Sequence, residues 1–225
     1  MKKSACYRGL FYLIGLLVLA IGLALTTQVQ LGVSPIISVA QAFSLLTGIN
    51  FGDATLIWYT VFILVEVLLH AVGKNCRQIP LDLLQFPLSL VFTRFLNVFK
   101  AMIPDFAADL SESWLGTMPG RLVFLLIAIV FTGVGAALSM DVRLIPNPGD
   151  GIVQAISDAV KKPAGLVKNC VDISCVCISV ILGLTLRGQL LGIGIGTVCA
   201  MILVGRVIAV FNHLFLEKLK RACGI

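Results

Sequence analysis

The chain has 225 residues, 59% of them hydrophobic and 12% charged, with a mean hydropathy of +1.04 and a formal net charge of +6. Soluble domains are about half apolar and a quarter charged, so this balance excludes a water-soluble globular protein and predicts an all-α polytopic membrane protein. The positive charge does not point to nucleic acid, because the lysines and arginines gather at the ends of apolar runs, where the positive-inside rule puts them.

Six runs reach the length of about 20 residues needed to cross a bilayer as helices: Arg8–Thr27, Asp53–Gly73, Leu81–Ile103, Arg121–Leu138, Leu166–Leu186 and Leu190–Leu216. The first opens on "MKKSACYRGLFYLIGLLVLA", whose basic start and apolar core resemble a signal peptide. Between the first and second runs lies Ser34–Leu46, "SPIISVAQAFSLL", and between the fourth and fifth lies Asn147–Val160, "NPGDGIVQAISDAV". Each opens with an N-cap residue, Ser34 or Asn147, followed by Pro35 or Pro148 at the first helical position, where the missing amide hydrogen is no loss. At about 1.5 Å per residue these helices fall short of a hydrocarbon core of about 30 Å. They read as re-entrant or interfacial helices. Polar residues recur along one face of each: Ser34, Ser38 and Gln41, then Asp150, Gln154, Ser157 or Asp158, and Lys161.

The third run carries Asp82, Gln85, Ser89 and Thr93 along one side, with Pro87 among them freeing a backbone carbonyl. Asp82, beside Arg77, is expected at an exposed helix end. In the last run Gly192, Gly196 and Ala200 are spaced four apart and predict a close-packing face. The seven cysteines lack the paired spacing of a zinc site, and no metal or cofactor is expected.

A shift of 113 positions carries Arg8–Ser44 onto Arg121–Ser157 without a gap. Identical pairs include Arg8/Arg121, Gly22/Gly135, Pro35/Pro148, Gln41/Gln154 and Ser44/Ser157. The first helix therefore belongs to the mature fold, as a signal anchor. Each half reads as three transmembrane helices plus one short helix, and an odd number of crossings makes the repeats inverted. The implied organisation is residues 1–104 as the first repeat, 105–118 as an acidic extracytoplasmic loop, 119–216 as the second repeat and 217–225 as a basic tail. With six crossings Lys2, Lys3, Lys74, Arg77, Arg143, Lys161, Lys162 and the tail all fall on the cytoplasmic side, with both termini. Arg121 and Arg187 fall outside and fit less well. Eight crossings with parallel halves is the rival, and would export Lys74 and Arg77.

The segments "LGVSPIISVAQAFSLLTGINFG", "LIPNPGDGIVQAIS", "LLGIGIGTVCAMILVGRVIAVF" and "IPLDLLQFPLSLVFTRFLNVF" resemble the short helices, last helix and first-half segment of the YczE/YyaS/YitT family of bacterial membrane proteins. The resemblance implies a fold and a bacterial cytoplasmic membrane location more than a reaction. Family members often carry a glycine and then an aspartate where Thr93 and Asn97 stand here.

Ionisable residues at membrane depth are functional candidates, because burying a charge there costs at least about 2.5 kcal/mol on insertion scales. Glu66 shares a helical stripe with Tyr59, Ile63 and His70, and Asp172 shares one with Lys168, Cys175 and Ser179. Facing each other, the stripes would line a polar path. The plainer reading is local neutralisation at i,i+4, of Asp172 by Lys168 and of Glu66 by His70. In "PNPGDG", Gly149 and Gly151 permit close backbone approach, and Asp150 complements the positive end of the helix dipole. The first half has Ile37 where Asp150 stands, so the repeat alone does not explain the acid.

The expected function is a small-molecule or ion transporter or channel of the bacterial inner membrane, with Asp150, Asp172, Glu66, Tyr59, Lys168, Gln154 and Gln41 contributing to the pathway. A substrate-binding membrane component of a multi-subunit importer and a non-transporting regulatory membrane protein stay open as alternatives. The bilayer is the surrounding partner, with a second copy or importer subunits as protein partners. No His-Glu-x-x-His, Gly-x-Ser-x-Gly or phosphate-binding loop is present, so catalysis is not expected.

Overall fold

The chain's helices follow one order twice: long, short, long, long. In a computed structural model describing residues 2–224, the first half gives α1 (Lys2–Val29), α2 (Pro35–Thr47), α3 (Phe51–Val72) and α4 (Ile79–Met102). The second gives α5 (Met118–Asp141), α6 (Pro148–Val160), α7 (Ala164–Arg187) and α8 (Ile195–Cys223), and no strand occurs among the described residues. Side chains are described from Cys6 onward, so those of Lys2 and Lys3 lie outside the described residues. Among the described residues six helices are long and apolar enough to cross a membrane, and the chain is a multi-pass helical membrane protein. The short helices α2 and α6 have 13 residues each, about 20 Å at the helical rise.

Packing sorts these helices into two compact units, each drawing on both halves of the sequence. One unit comprises residues 1–34, 95–144 and 194–225. It holds α1, α5, α8 and the last turns of α4. Here α1 and α5 run antiparallel, and their contacts are reciprocal under the 113-residue shift. A Cβ on Gly22 would lie 2.6 Å from the backbone nitrogen of Thr132, and one on Gly135 would collide with that of Leu19, the residue that the shift carries onto Thr132. The caps repeat the pattern. Arg8 donates to the carbonyls of Val142 (3.0 Å) and Arg143 (2.9 Å) at the end of α5, and Arg121 donates to those of Val29 (2.8 Å) and Gln30 (2.8 Å) at the end of α1. Each arginine satisfies carbonyls that a helix end leaves unpaired. Gln30 and Arg143, one repeat apart, both take left-handed φ, at 53° and 51°. The apolar core of this unit joins Leu25 and Val29 of α1 to Leu125 and Ile129 of α5 and Ala200 and Val204 of α8.

The acidic loop packs into the same unit: the Phe106 ring meets that of Phe124 at 4.7 Å in a tilted arrangement, and the Phe106 amide donates to the Gln28 carbonyl. The glycine face expected along the last helix is only partly realised. Helix α8 starts at Ile195, and Gly192 precedes it at φ +71°. Gly196 and Ala200 are buried one turn apart, Gly196 against the carbonyls of Leu31 and Gly32. Gly192, in a left-handed conformation, and Gly194, extended at the helix N-cap, keep the segment unwound until Ile195. At the other end α8 runs on to Cys223, so most of the basic tail is its last turns.

The second unit comprises residues 35–94 and 145–193, and holds α2, α3, α6, α7 and the first turns of α4. Helix α3 packs on α6 and α7 packs on α2, so each long helix meets the short helix of the other half. The short helices end alike: Ser44 Oγ donates to the Ile49 carbonyl (2.7 Å) and Ser157 Oγ to the Lys162 carbonyl (2.6 Å), beside left-handed Gly48 and Lys161.

Candidate site around the short helices

The polar residues of the second unit gather where its long helices meet α2 and α6. Helix α3 buries Tyr59, Ile63 and Glu66, and α7 buries Asp172, Cys175 and Ser179. The two stripes predicted from helical spacing are therefore real. They are not packed on one another, because each is turned to the short helix of the opposite half.

At the α3–α6 junction the Glu66 carboxylate, 1% exposed, lies against Gly151 in the first turns of α6. A Cβ there would come within 2.7 Å of Oε2 and 2.9 Å of Oε1, and within 3.0 Å of Gln85 Nε2. Gln85 donates through Nε2 to Glu66 Oε2 at 2.6 Å. Glu66 is thus paired with α4 rather than with His70, as the i,i+4 spacing had suggested. His70 Nδ1 instead meets Asp82 Oδ2 at 2.6 Å. Asp82 is only 4% exposed, which corrects its reading as an exposed helix end. The reason is tertiary: α4 presents Asp82, Gln85, Ser89 and Thr93 inward as one buried polar edge, with Pro87 exposed on its other side.

The α2–α7 junction is the same place one repeat later. There Ser179, which the shift pairs with Glu66, donates to the Ser38 carbonyl at 3.1 Å, and Ser38 pairs with Gly151. Gln41 is buried with Gly192 pressed against its side-chain carbons.

The start of α6 lies between these elements. Asn147 caps the helix by accepting from the Gly149 amide at 3.5 Å and lies close to Tyr59. Tyr59 also stacks on Phe92 at 6.3 Å. Partly buried Asp150 is within electrostatic range of Tyr59, Glu66, Lys168 and Asp172. Lys168 Nζ binds Asp172 Oδ2 at 2.5 Å, as the i,i+4 spacing predicts. Gln154 does not join them: it is exposed and donates to Asp158 at 2.9 Å. The polar face expected on α6 is therefore split, with Gln154 and Asp158 outward and Ser157 turned in to cap the helix end. Helix α2 begins at Pro35, directly after partly buried Ser34.

Several buried oxygens in this unit have no hydrogen-bond partner: Ser38 Oγ, Gln41 Oε1, Glu66 Oε1, Gln85 Oε1, Ser89 Oγ and Asp172 Oδ1. Leaving one such group unsatisfied costs about 1–3 kcal/mol, and buried polar atoms in native proteins are otherwise nearly all paired. Every orphan here is an acceptor or a hydroxyl. The set is complementary to a ligand rich in donors or positive charge. Gln85 and Ser89 were visible in the sequence as part of the polar side of α4, but nothing in the sequence indicated that this side meets Glu66.

No metal-ligand cluster of three or more His, Cys, Asp or Glu side chains occurs among the described residues. The fold and this site define a polytopic α-helical membrane protein with a buried polar centre around two short helices. Residues 6–213 match the family described as "Family of unknown function (DUF6198)", and the chain belongs to that family. It is also 25% identical over 217 residues to "Uncharacterized protein YyaS" of Bacillus subtilis (strain 168), covering 94% of this chain and 98% of that relative. The family resemblance read from the short-helix motifs is borne out. No solved structure matches the chain.

Proposed function

We propose that this protein is a transporter or channel of a bacterial cytoplasmic membrane for a small cationic or donor-rich substrate, built from two halves inserted in opposite directions with both termini in the cytoplasm. The observation that carries this reading is the set of buried, unpartnered oxygens on α2, α3, α4 and α7. A purely structural polar cluster satisfies its own members; this one leaves acceptors over. The antiparallel course of α1 and α5 supports the inverted arrangement, since parallel halves would run these two helices in the same direction. Short helices meeting at membrane depth and polar groups at their starts are features of inverted-repeat transporters.

In this reading Glu66, Gln85 and Ser89 receive the substrate's donors, Asp172 and Lys168 supply a second charged contact, and Asp150 lies between them at the start of α6. Gly151 holds the space that lets the Glu66 carboxylate reach the helix. The chain needs no other subunit for movement of the substrate. Purified protein in liposomes, tested against a panel of labelled inorganic cations and organic amines, is expected to take up at least one of them unaided. Binding without uptake would instead indicate a capture component of a larger importer. For topology, cysteines placed at Ala108 and Asn75 in a cysteine-free background are expected to label from outside and inside, respectively. Outside labelling at Asn75 would contradict the six-crossing arrangement.

A further inference from the structure

Outside the polar site, a groove runs along α5 and α8, lined by Leu126, Val130, Val134, Val210 and Phe215 among others, with Arg206 as its one polar residue. The two helices run parallel there: a Cβ on Gly133 would meet the Val207 side chain, and Asn212 reaches Asp141, the last residue of α5, at 3.5 Å. Arg206 is exposed, and no acidic side chain lines the groove. Six residues before Asn212, it sits about 9 Å inside the end of α5. An uncompensated guanidinium at that depth is unfavourable in hydrocarbon.

Comparison with the other half sharpens the point. A shift of 112, one residue less than the repeat's, pairs "RVIAVF" at Arg206 with "RFLNVF" at Arg94, and Arg94 pairs with Asp53 Oδ1 at 2.7 Å. The 113-residue shift carries Asp53 onto Leu166. The second half thus kept the arginine and lost the acid.

We propose that this groove binds an anionic phospholipid of the bilayer, with the phosphate paired with Arg206 and an acyl chain running away from the basic end of α8 along Leu126, Val130 and Leu203. Arginine forms bidentate bonds with phosphate and extends its side chain towards the headgroup region. The groove ends where Lys218 lies over the Phe215 ring at 5.7 Å, followed by Lys220 and Arg221 in the last turn of α8. Basic clusters beside a membrane helix draw anionic headgroups. A second copy of this chain fits less well, because the carboxylates within its spans are not presented to a neighbour: Glu66, Asp82 and Asp172 are buried, and Asp53 and Asp141 are held by Arg94 and Asn212.

The test is native mass spectrometry of the detergent-purified chain with phosphatidylglycerol or phosphatidylcholine of matched acyl chains, on wild type, Arg206→Lys, Arg206→Gln and Arg206→Ala. Wild type should retain one phosphatidylglycerol in preference to phosphatidylcholine. The preference should fall about tenfold or more in Arg206→Gln and Arg206→Ala, the loss of one charge-assisted contact, and survive in part in Arg206→Lys. Melting temperatures should stay close to wild type in lipid-free detergent, which keeps a folding defect separate. Equal retention of both lipids, or an unchanged preference in Arg206→Ala, would overturn the proposal. So would a wild-type dimer that Arg206→Ala dissociates, because it would assign the groove to a second copy.

Discussion

At two places related by the repeat, the same backbone arrangement holds different chemistry. Where α7 meets α2, the Ser179 hydroxyl donates to the Ser38 carbonyl; where α3 meets α6, a carboxylate, Glu66, lies against a glycine, Gly151. Elsewhere the framework is repeated closely. Arg8 and Arg121 cap opposite helix ends, Gly22 and Gly135 let α1 and α5 touch, and Ser44 and Ser157 close the short helices. The repeat therefore accounts for the scaffold, and it breaks where Glu66 stands opposite Ser179 and Gly151 opposite Ser38. At the α2–α7 junction the Ser179 hydroxyl has its partner within the protein, and the oxygens left unpaired, Ser38 Oγ and Gln41 Oε1, are uncharged. At the α3–α6 junction Glu66 and Gln85 each keep an unpaired oxygen.

The largest expected effect is at Gly151. Gly151→Ala puts a methyl within 2.9 Å of both Glu66 carboxylate oxygens. These atoms end a flexible side chain, so they are displaced and the backbone is not, and alanine's helix preference of about 0.5–1 kcal/mol offsets part of the strain. The variant should fold with a near-normal melting temperature and lose its response to ligand. A normal response would mean that the Glu66–Gly151 contact is incidental.

Asp150→Asn separates helix capping from ligand contact. The charge–dipole contribution at stake is about 0.3–1 kcal/mol, up to about 2 when partly buried, so thermal unfolding should shift by a few degrees at most. Ligand affinity should fall by about tenfold or more, the loss of one charge-assisted contact. A variant that is less stable but binds normally would reduce Asp150 to a cap.

The framework should respond in matched pairs. Arg8→Ala and Arg121→Ala each remove hydrogen bonds from a charged donor to helix-end carbonyls, and each should destabilise by about 1–3 kcal/mol with ligand response intact. Strongly unequal losses would break the correspondence between the halves. The smallest effect belongs to Ser38→Ala. The Ser38 hydroxyl has no partner and its carbonyl contact with Ser179 survives, so stability should stay within about 0.5 kcal/mol of wild type. Alanine at two repeat-related positions, Gly151 and Ser38, is thus expected to give opposite outcomes.

Much of this was legible in the sequence because it depends on local patterns. Length and hydropathy located six spans, Pro35 and Pro148 located the short helices, and helical spacing located the stripes through Glu66 and Asp172. The 113-residue shift located the repeat, and Ile37 opposite Asp150 showed that it is imperfect. Partner choice was less accessible. Spacing paired Lys168 with Asp172 correctly, since both lie on one helix, but assigned His70 to Glu66, where the fold gives His70 to Asp82 and Glu66 to Gln85. Those pairings depend on how α3 and α4 face each other, which periodicity within a helix does not encode. Gln154 and Gly192 were misplaced for related reasons. An amphipathic pattern does not say which polar residue turns outward, and glycines four apart read as a helix face until the chain unwinds before Ile195.

The most direct test is a thermal-stability screen of inorganic cations and organic amines against wild type and Glu66→Leu in detergent, because a ligand that binds only the folded state raises apparent stability by mass action. Leucine removes the unpaired buried oxygen of Glu66 but leaves the Gln85 amide without its acceptor, a cost of about 1–3 kcal/mol, so the variant should fold and melt within several degrees of wild type. At least one compound should raise the wild-type melting temperature in proportion to its concentration and leave Glu66→Leu unmoved. If every compound that stabilises wild type stabilises Glu66→Leu equally, the α3–α6 junction is not the binding site.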